Sequence, residues 1–143
     1  DAVVMGRNTY EVVLPFPEWP YGAKPVFVLS HRPLPPGRAG AVVERMAGEP
    51  AEVFSRLAGR GFGHVYVDGG RTIQAFLRAG LVNRLVISRV PVLVGEGIPL
   101  FGPLDADVLL THVATRTFAG GLVQSEYEVL RPPGEDPRAT RTG

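Results

Sequence analysis

Apolar runs separated by turn residues dominate the first half of the chain and predict an α/β protein. The short apolar runs typical of buried strands cover residues 2–5, 25–30, 41–44 and 64–67. Amphipathic spacing between these runs predicts helices over residues 8–14, 50–58 and 71–79. Strands that alternate with helices in this way indicate a mainly parallel sheet that is covered by helices.

Consecutive strands without intervening helices follow from residue 84 onward. The pattern predicts these strands over residues 84–94, 108–118 and 122–130. Ala119-Gly120-Gly121 joins the last two and is a hairpin signal. Pro91 interrupts the first of them and implies an edge, a bulge or a bend. The whole pattern therefore predicts one mixed, mainly parallel central sheet with a C-terminal antiparallel hairpin.

Helix-boundary residues support the three predicted helices. Asn8 and Glu11 have the spacing of a capping box at the first helix. Pro50 suits the first turn of the second helix, and Gly80 suits the end of the third. The apolar positions predicted to face inward on the second and third helices are Val53, Phe54, Leu57, Ile73, Phe76 and Leu77.

Two of the predicted strand-to-helix connections contain glycine, and we call them the two glycine corners. Gly6 follows the first strand, and Gly69-Gly70 follows the strand that ends near residue 67. A helix that begins behind glycine presents free backbone N–H groups at its positive end, which suits a phosphate. Each corner has an arginine just after the glycine, Arg7 and Arg71. One extended anion such as a dinucleotide would account for both corners, although a lone glycine pair is commonly only a tight turn.

Composition excludes several classes of function. The chain has 143 residues, 45% hydrophobic and 20% charged, with a net charge of +1, so nothing demands a nucleic-acid partner. It contains no cysteine, and its three histidines have no partner at metal-ligand spacing, so no metal site is expected. No apolar run approaches the roughly 20 residues that span a bilayer, and the default location is the cytoplasm. We expect one domain over residues 1–130 and a frayed tail over residues 131–143.

Four segments, in register, resemble the dihydrofolate reductase-like family, in the branch related to the reductase domain of bacterial riboflavin biosynthesis. Residues 1–11 resemble that branch's D-x-x-x-M-G-R-x-T-Y-E segment, and residues 65–73 resemble its V-x-G-G turn. Residues 28–32 resemble its second cofactor segment, a strand that ends in Leu-Ser before polar or basic residues. Residues 85–101, with Arg89 to Phe101 as the main match, resemble its P-V-L-L-G-x-G-x-P-L-F stretch. The resemblance implies a three-layer dihydrofolate reductase-like fold.

The resemblance also implies that NADPH is the cofactor and assigns residues to it. The pyrophosphate and the adenosine side would meet Gly6, Arg7, Asn8 and Thr9. The second cofactor segment supplies Leu29, Ser30, His31 and Arg32, the last three at the ribose 2′-phosphate. The pyrophosphate and the nicotinamide half would be wrapped by Asp68, Gly69, Gly70, Arg71, Thr72 and Ile73. Asp68 brings a carboxylate close to phosphates, so it is expected to point away or to pair with an arginine.

By the same resemblance, the chain would be an NADPH-dependent reductase, similar to 5-amino-6-(5-phosphoribosylamino)uracil reductase, that acts on a pterin-, pyrimidine- or similar heteroaromatic substrate as a homodimer. The family's opening strand is expected to precede Asp1, and it carries the acid that assists protonation in dihydrofolate reductases, so no catalytic residue is assigned. A catalytically weak or inactive nucleotide-binding dimeric module is the alternative.

Two positions stay open: Arg89 is a substrate ligand or points to water from an edge strand, and Trp19 is a core aromatic or borders the substrate cleft.

Overall fold

The computed structural model describes residues 1–130, so the predicted tail lies outside the described residues. The chain divides into two compact units. The first unit comprises Asp1–Leu81 with Ile98–Leu104. The second comprises Val82–Gly97 with the described residues from Asp105 onward.

The first unit is a four-stranded parallel sheet with three helices. Its elements, in chain order, are β1 Ala2–Gly6, α1 Arg7–Val13, β2 Val26–Leu29, β3 Val43–Met46, α2 Pro50–Gly59, β4 Val65–Asp68 and α3 Gly70–Arg78. The strand order is β3-β2-β1-β4, and all neighbours are parallel. The carboxyl ends of the four strands therefore meet at one edge of the sheet, which we call the carboxyl edge.

Both faces of the sheet are covered, which gives the predicted three layers. On one face, alternate strand residues pack with α1 in a buried cluster of Val3, Met5, Val26, Val28, Tyr10 and Val13. The intervening residues Val4 and Phe27 are also buried and face the other side, where α2 buries Leu57 and α3 buries Phe76. Burial on both faces explains why these strands are continuous apolar runs in the sequence.

The helix boundaries agree with most of the sequence signals. Pro50 opens α2 behind a capping box formed by Glu49 and Glu52. Gly80, with φ of +64°, follows the end of α3. The capping box predicted at Asn8 is wrong: the residue that precedes α1 is Gly6, and Asn8 lies inside the helix. None of the helices within residues 1–130 combines the length and the hydropathy of a membrane-spanning segment.

The second unit is a three-stranded antiparallel sheet of β5 Arg84–Arg89, β6 Leu110–Thr117 and β7 Val123–Val129. Its strand order is β5-β7-β6. The predicted hairpin between β6 and β7 is confirmed, with φ of +83° at Gly120 and +82° at Gly121. The α/β class with parallel strands and a C-terminal antiparallel hairpin is thus confirmed, and the antiparallel strands form a sheet of their own.

The first strand of this unit is shorter than the sequence predicts. The predicted strand covers residues 84–94, but β5 ends at Arg89. Pro91 has no N–H group for a sheet ladder, and the Val92 amide instead bonds the Val90 carbonyl at 2.8 Å in a local turn. Proline therefore follows the end of the strand, whereas the sequence predicted a strand that continues past it with an edge, a bulge or a bend.

Candidate functional site

The two glycine corners lie side by side at the carboxyl edge. β1 and β4 are neighbouring parallel strands, with Met5 paired to Asp68. Gly6 precedes α1, and Gly69 precedes α3 with φ of 92° and ψ of 128°. Because glycine alone adopts such a positive φ without strain, Gly69 allows the strand to turn directly into the helix. The structure thus places two helix starts next to each other.

Each glycine corner packs against a threonine of the other corner. A Cβ atom at Gly6 would lie 2.9 Å from Oγ1 of Thr72, which is on α3. A Cβ atom at Gly69 would overlap Oγ1 of Thr9, which is on α1. The absence of a side chain at both glycines therefore lets the two helix starts approach closely. These reciprocal contacts bring together residues of two separate sequence segments that the family resemblance assigns to the cofactor.

The start of α3 has backbone amides that the helix itself does not use. The first helical hydrogen bond of α3 is donated by the Ile73 amide to the Gly69 carbonyl at 2.9 Å. The amides of Gly70, Arg71 and Thr72 precede that bond and have no acceptor within the helix. No heavy atom lies within 4 Å of the position a Cβ atom would take at Gly70. The donors and the open space at Gly70 fit a phosphate group.

Asp68 is fixed beside this corner by two hydrogen bonds. The Gly69 amide donates to Oδ1 of Asp68 at 2.8 Å, and the Tyr21 hydroxyl donates to Oδ2 at 2.7 Å. The amides open to a phosphate therefore begin at Gly70. Burial, followed by the hydrogen bond and the negative charge of Asp68, raises the pKa of Tyr21 well above its ordinary value. The partner of Asp68 is thus a tyrosine 47 residues away in sequence, which no local motif could have indicated.

Tyr21 belongs to a row of aromatic residues that leads into the core. Trp19 packs edge-on against Tyr21, with ring centroids 5.2 Å apart, and against Tyr10, at 6.4 Å. Trp19 is half-buried and packs on the cluster beneath α1, which corresponds to the core interpretation. Because it is the sole tryptophan of the chain, its fluorescence reports on the neighbourhood of Tyr21 and Asp68.

The predicted 2′-phosphate residues form a turn that follows β2. Ser30 Oγ donates to the Arg32 carbonyl at 2.8 Å and accepts from the Arg32 amide at 3.1 Å. The serine hydroxyl therefore holds the turn closed, while the side chains of His31 and Arg32 are exposed. Arg7 reaches this turn from α1, since its Nη1 donates to the Pro33 carbonyl at 2.7 Å. Residues from two of the three segments assigned to the cofactor thus meet at this turn.

Most of the remaining candidate residues have exposed side chains. Arg7 also forms an ion pair with Glu11 at 2.6 Å, one helical turn away. Arg71 and Asn8 are exposed at the starts of their helices. Arg89 is exposed on β5, an edge strand, which corresponds to the interpretation that it points to water. Within residues 1–130, no group of three or more histidine, aspartate or glutamate residues is placed to hold a metal ion.

Comparison with known proteins places this geometry in a family. The sequence model of the RibD C-terminal domain matches residues 1–124. The uncharacterized protein YwjB of Bacillus subtilis (strain 168) is 30% identical over 130 residues, which are 89% of this chain and 72% of that protein.

Solved structures agree with the sequence comparison. A protein of Shewanella sp. PV-4 named for riboflavin biosynthesis is 38% identical and superimposes with a TM-score of 0.83, over 92% of this chain and 75% of that one. Dihydrofolate reductase of Enterococcus faecalis, solved in complex with NADP(H), superimposes with a TM-score of 0.56 at 21% identity, over 90% of this chain and 73% of that one. The second likeness concerns the fold alone.

Proposed function

The chain belongs to the RibD C-terminal domain family, and from that premise we propose that it is an NADPH-dependent reductase of a small heteroaromatic substrate, of the pterin or pyrimidine type. Solved structural neighbours are named as reductases, among them the dihydrofolate reductase of Enterococcus faecalis, which supports reductase chemistry at the family level. The observation that carries the proposal for this chain is the pair of glycine corners, closed on each other by Thr9 and Thr72.

The pyrophosphate of the cofactor would lie against the start of α3. The amides of Gly70 and Arg71 would donate to it, and the positive end of the helix dipole would stabilise its charge. Gly6 and the first turn of α1 would border the same phosphates from the neighbouring strand. The bound cofactor supplies a hydride, and the protein contributes the orientation and the electrostatic environment.

Asp68 would serve the substrate end of the site. A carboxylate is a poor neighbour for a phosphate, because the two negative charges repel each other. The bonds from Tyr21 and Gly69 hold the carboxylate in a fixed position. Each oxygen keeps a lone pair, which can accept an N–H group of an amino-substituted ring. We therefore assign Asp68 to recognition of such a substrate and Tyr21 to positioning that carboxylate.

Residues 1–130 would act as one reductase domain, in the cytoplasm and as a homodimer. Exposed apolar side chains support association, since Leu93 and Ile98 are almost fully exposed in the single chain. Light scattering of the purified chain would give twice the mass of the monomer, and a monomer at micromolar concentration would contradict the dimer.

Titration with NADPH and NADH tests the proposed cofactor. The emission of Trp19 would be quenched in a saturable manner by NADPH, and more weakly by NADH. Oxidation of bound NADPH would then be followed by its absorbance, with dihydrofolate and an aminopyrimidine as acceptors. Absence of saturable binding of either nucleotide would overturn the proposal, and binding without oxidation by any heteroaromatic acceptor would favour the nucleotide-binding module instead.

A further inference from the structure

Three arginines meet at residues 30–33, which we call the 30–33 turn. Arg32 belongs to this turn. Arg7 Nη1 donates to the Pro33 carbonyl at 2.7 Å, and Arg45 Nη1, from β3, donates to the Ser30 carbonyl at 3.2 Å. Arg7, which follows β1, and Arg45, on β3, come from the two strands that flank β2. They are therefore fixed to the two ends of one short segment at the carboxyl edge.

The positive charge at the 30–33 turn is only partly neutralised. Arg7 forms an ion pair with Glu11. Among the ion pairs of the described residues, none involves Arg32 or Arg45. Two like charges held at one turn repel each other, and an anion bound between them would remove that repulsion. Arg32 and Arg45 differ in this respect from Arg60, which forms an ion pair with Glu44.

Arginine is better placed than serine to bind an anion at this turn. The hydroxyl hydrogen of Ser30 is already donated to the Arg32 carbonyl. Arg45 spends one Nη1 hydrogen bond on Ser30 and retains other donors of its planar group. Guanidinium groups bind the oxygens of a phosphomonoester with two parallel hydrogen bonds, which a neutral hydroxyl group does not match.

We propose that Arg45 is a specificity-determining residue that acts with Arg32 to hold the ribose 2′-phosphate of the cofactor. The inference rests on the proposed function, and it adds a residue from β3 that no sequence segment indicated. A 2′-phosphate is a compact dianion, so two cations that bind it would discriminate strongly against a bare 2′-hydroxyl group. Arg45 therefore contributes to the choice of NADPH over NADH.

The test compares dissociation constants for NADPH and NADH in wild type, Arg45→Gln and Arg45→Lys. Arg78→Gln is the matched control, because Arg78 is an exposed arginine at the far end of α3. Arg45→Gln would weaken NADPH binding about tenfold, in line with the loss of one exposed charge-assisted hydrogen bond, and would leave NADH binding unchanged. Arg45→Lys would give a smaller loss, and Arg78→Gln would give none.

A second probe separates the 2′-phosphate from the rest of the cofactor. Adenosine 2′-monophosphate would bind wild type more tightly than adenosine 5′-monophosphate, and Arg45→Gln would reduce that preference about tenfold. Equal weakening of NADPH and NADH, or an unchanged NADPH affinity in a folded Arg45→Gln protein, would overturn the role of Arg45 while leaving the reductase proposal intact. Failure of the wild type to bind NADPH at all would instead overturn the proposed function.

Discussion

The reciprocal contacts of the two glycine corners predict a specific result for a double-mutant cycle at Gly6 and Thr72. Gly6 has φ of −76° and ψ of 159°, a conformation that alanine adopts without strain. A Cβ atom there would nevertheless lie 2.9 Å from Thr72 Oγ1. The cost of Gly6→Ala is therefore steric, and overpacking of this kind destabilises proteins by about 1–3 kcal/mol.

Thr72→Ala removes the atom that the new methyl group would meet. The double variant is therefore expected to unfold with a free energy within about 0.5 kcal/mol of Thr72→Ala alone, which is the usual error of additivity. Thr72→Val is the matched control, because it keeps a γ atom at the crowded position and should not rescue Gly6→Ala.

The corresponding cycle at Gly69 and Thr9 should end differently. Gly69 has φ of 92°, so Gly69→Ala adds backbone strain of about 1–3 kcal/mol to its clash with Thr9. Thr9→Ala would relieve the clash and leave the strain, so the double variant should stay at least about 1 kcal/mol less stable than Thr9→Ala.

Urea unfolding followed by the fluorescence of Trp19 measures both cycles, since Trp19 lies in the unit that carries the corners. A cost below about 0.5 kcal/mol for Gly6→Ala, which is the size of an ordinary surface effect, would refute the close approach of the two corners. Equal residual costs in the two cycles would refute the distinction between steric overlap and backbone strain.

Three further predictions concern Asp68 and Tyr21. Tyr21→Phe should lower the free energy of unfolding at pH 7 by about 1–2 kcal/mol through loss of the bond to Asp68. Burial raises the pKa of Tyr21 above its ordinary value of 10.0, so above pH 10 this tyrosine is protonated in the folded state and ionised in the unfolded state. The free energy of unfolding should therefore fall as pH rises above 10, and it should fall less steeply in Tyr21→Phe than in wild type. Identical pH profiles of the two proteins in urea unfolding would contradict this prediction. Asp68→Asn should reduce turnover of an aminopyrimidine acceptor about tenfold, which is the scale of a lost charge-assisted hydrogen bond. The dissociation constant for NADPH should stay within about twofold of the wild-type value. A loss confined to NADPH binding would refute the assignment of Asp68 to the substrate.

The order of elements was predictable because each strand and helix carries its own periodic pattern. The buried runs at β1 and β2 and the helical stripe of Phe76 and Leu77 are local signals, and they are confirmed. The prediction that Phe54 faces inward on α2 is wrong, since its side chain is exposed. The capping box predicted at Asn8 does not form, because Glu11 pairs instead with Arg7, four residues earlier. β1 also runs directly into α1 at Gly6, so Asn8 lies inside the helix.

The candidate site was predictable only as separate segments. The glycines and the basic residues after β2 are visible in the sequence, and their assignment to a cofactor remains a prediction. Three contacts depend on tertiary packing: Thr72 on Gly6, Tyr21 on Asp68, and Arg45 on Ser30. These pairs are distant in sequence and no short motif encodes them, so only the folded sheet brings them together.

The central claim is that the two glycine corners hold the phosphate bridge of NADPH, and amide chemical shifts test it most directly. A ¹⁵N-labelled sample of this 143-residue chain is small enough for assigned two-dimensional spectra. Addition of NADPH should shift the amides of Gly70 and Arg71 together with those of Arg7 and Asn8, and the shifts should saturate in parallel. Saturable binding of NADPH that leaves these four amides unmoved would contradict the account.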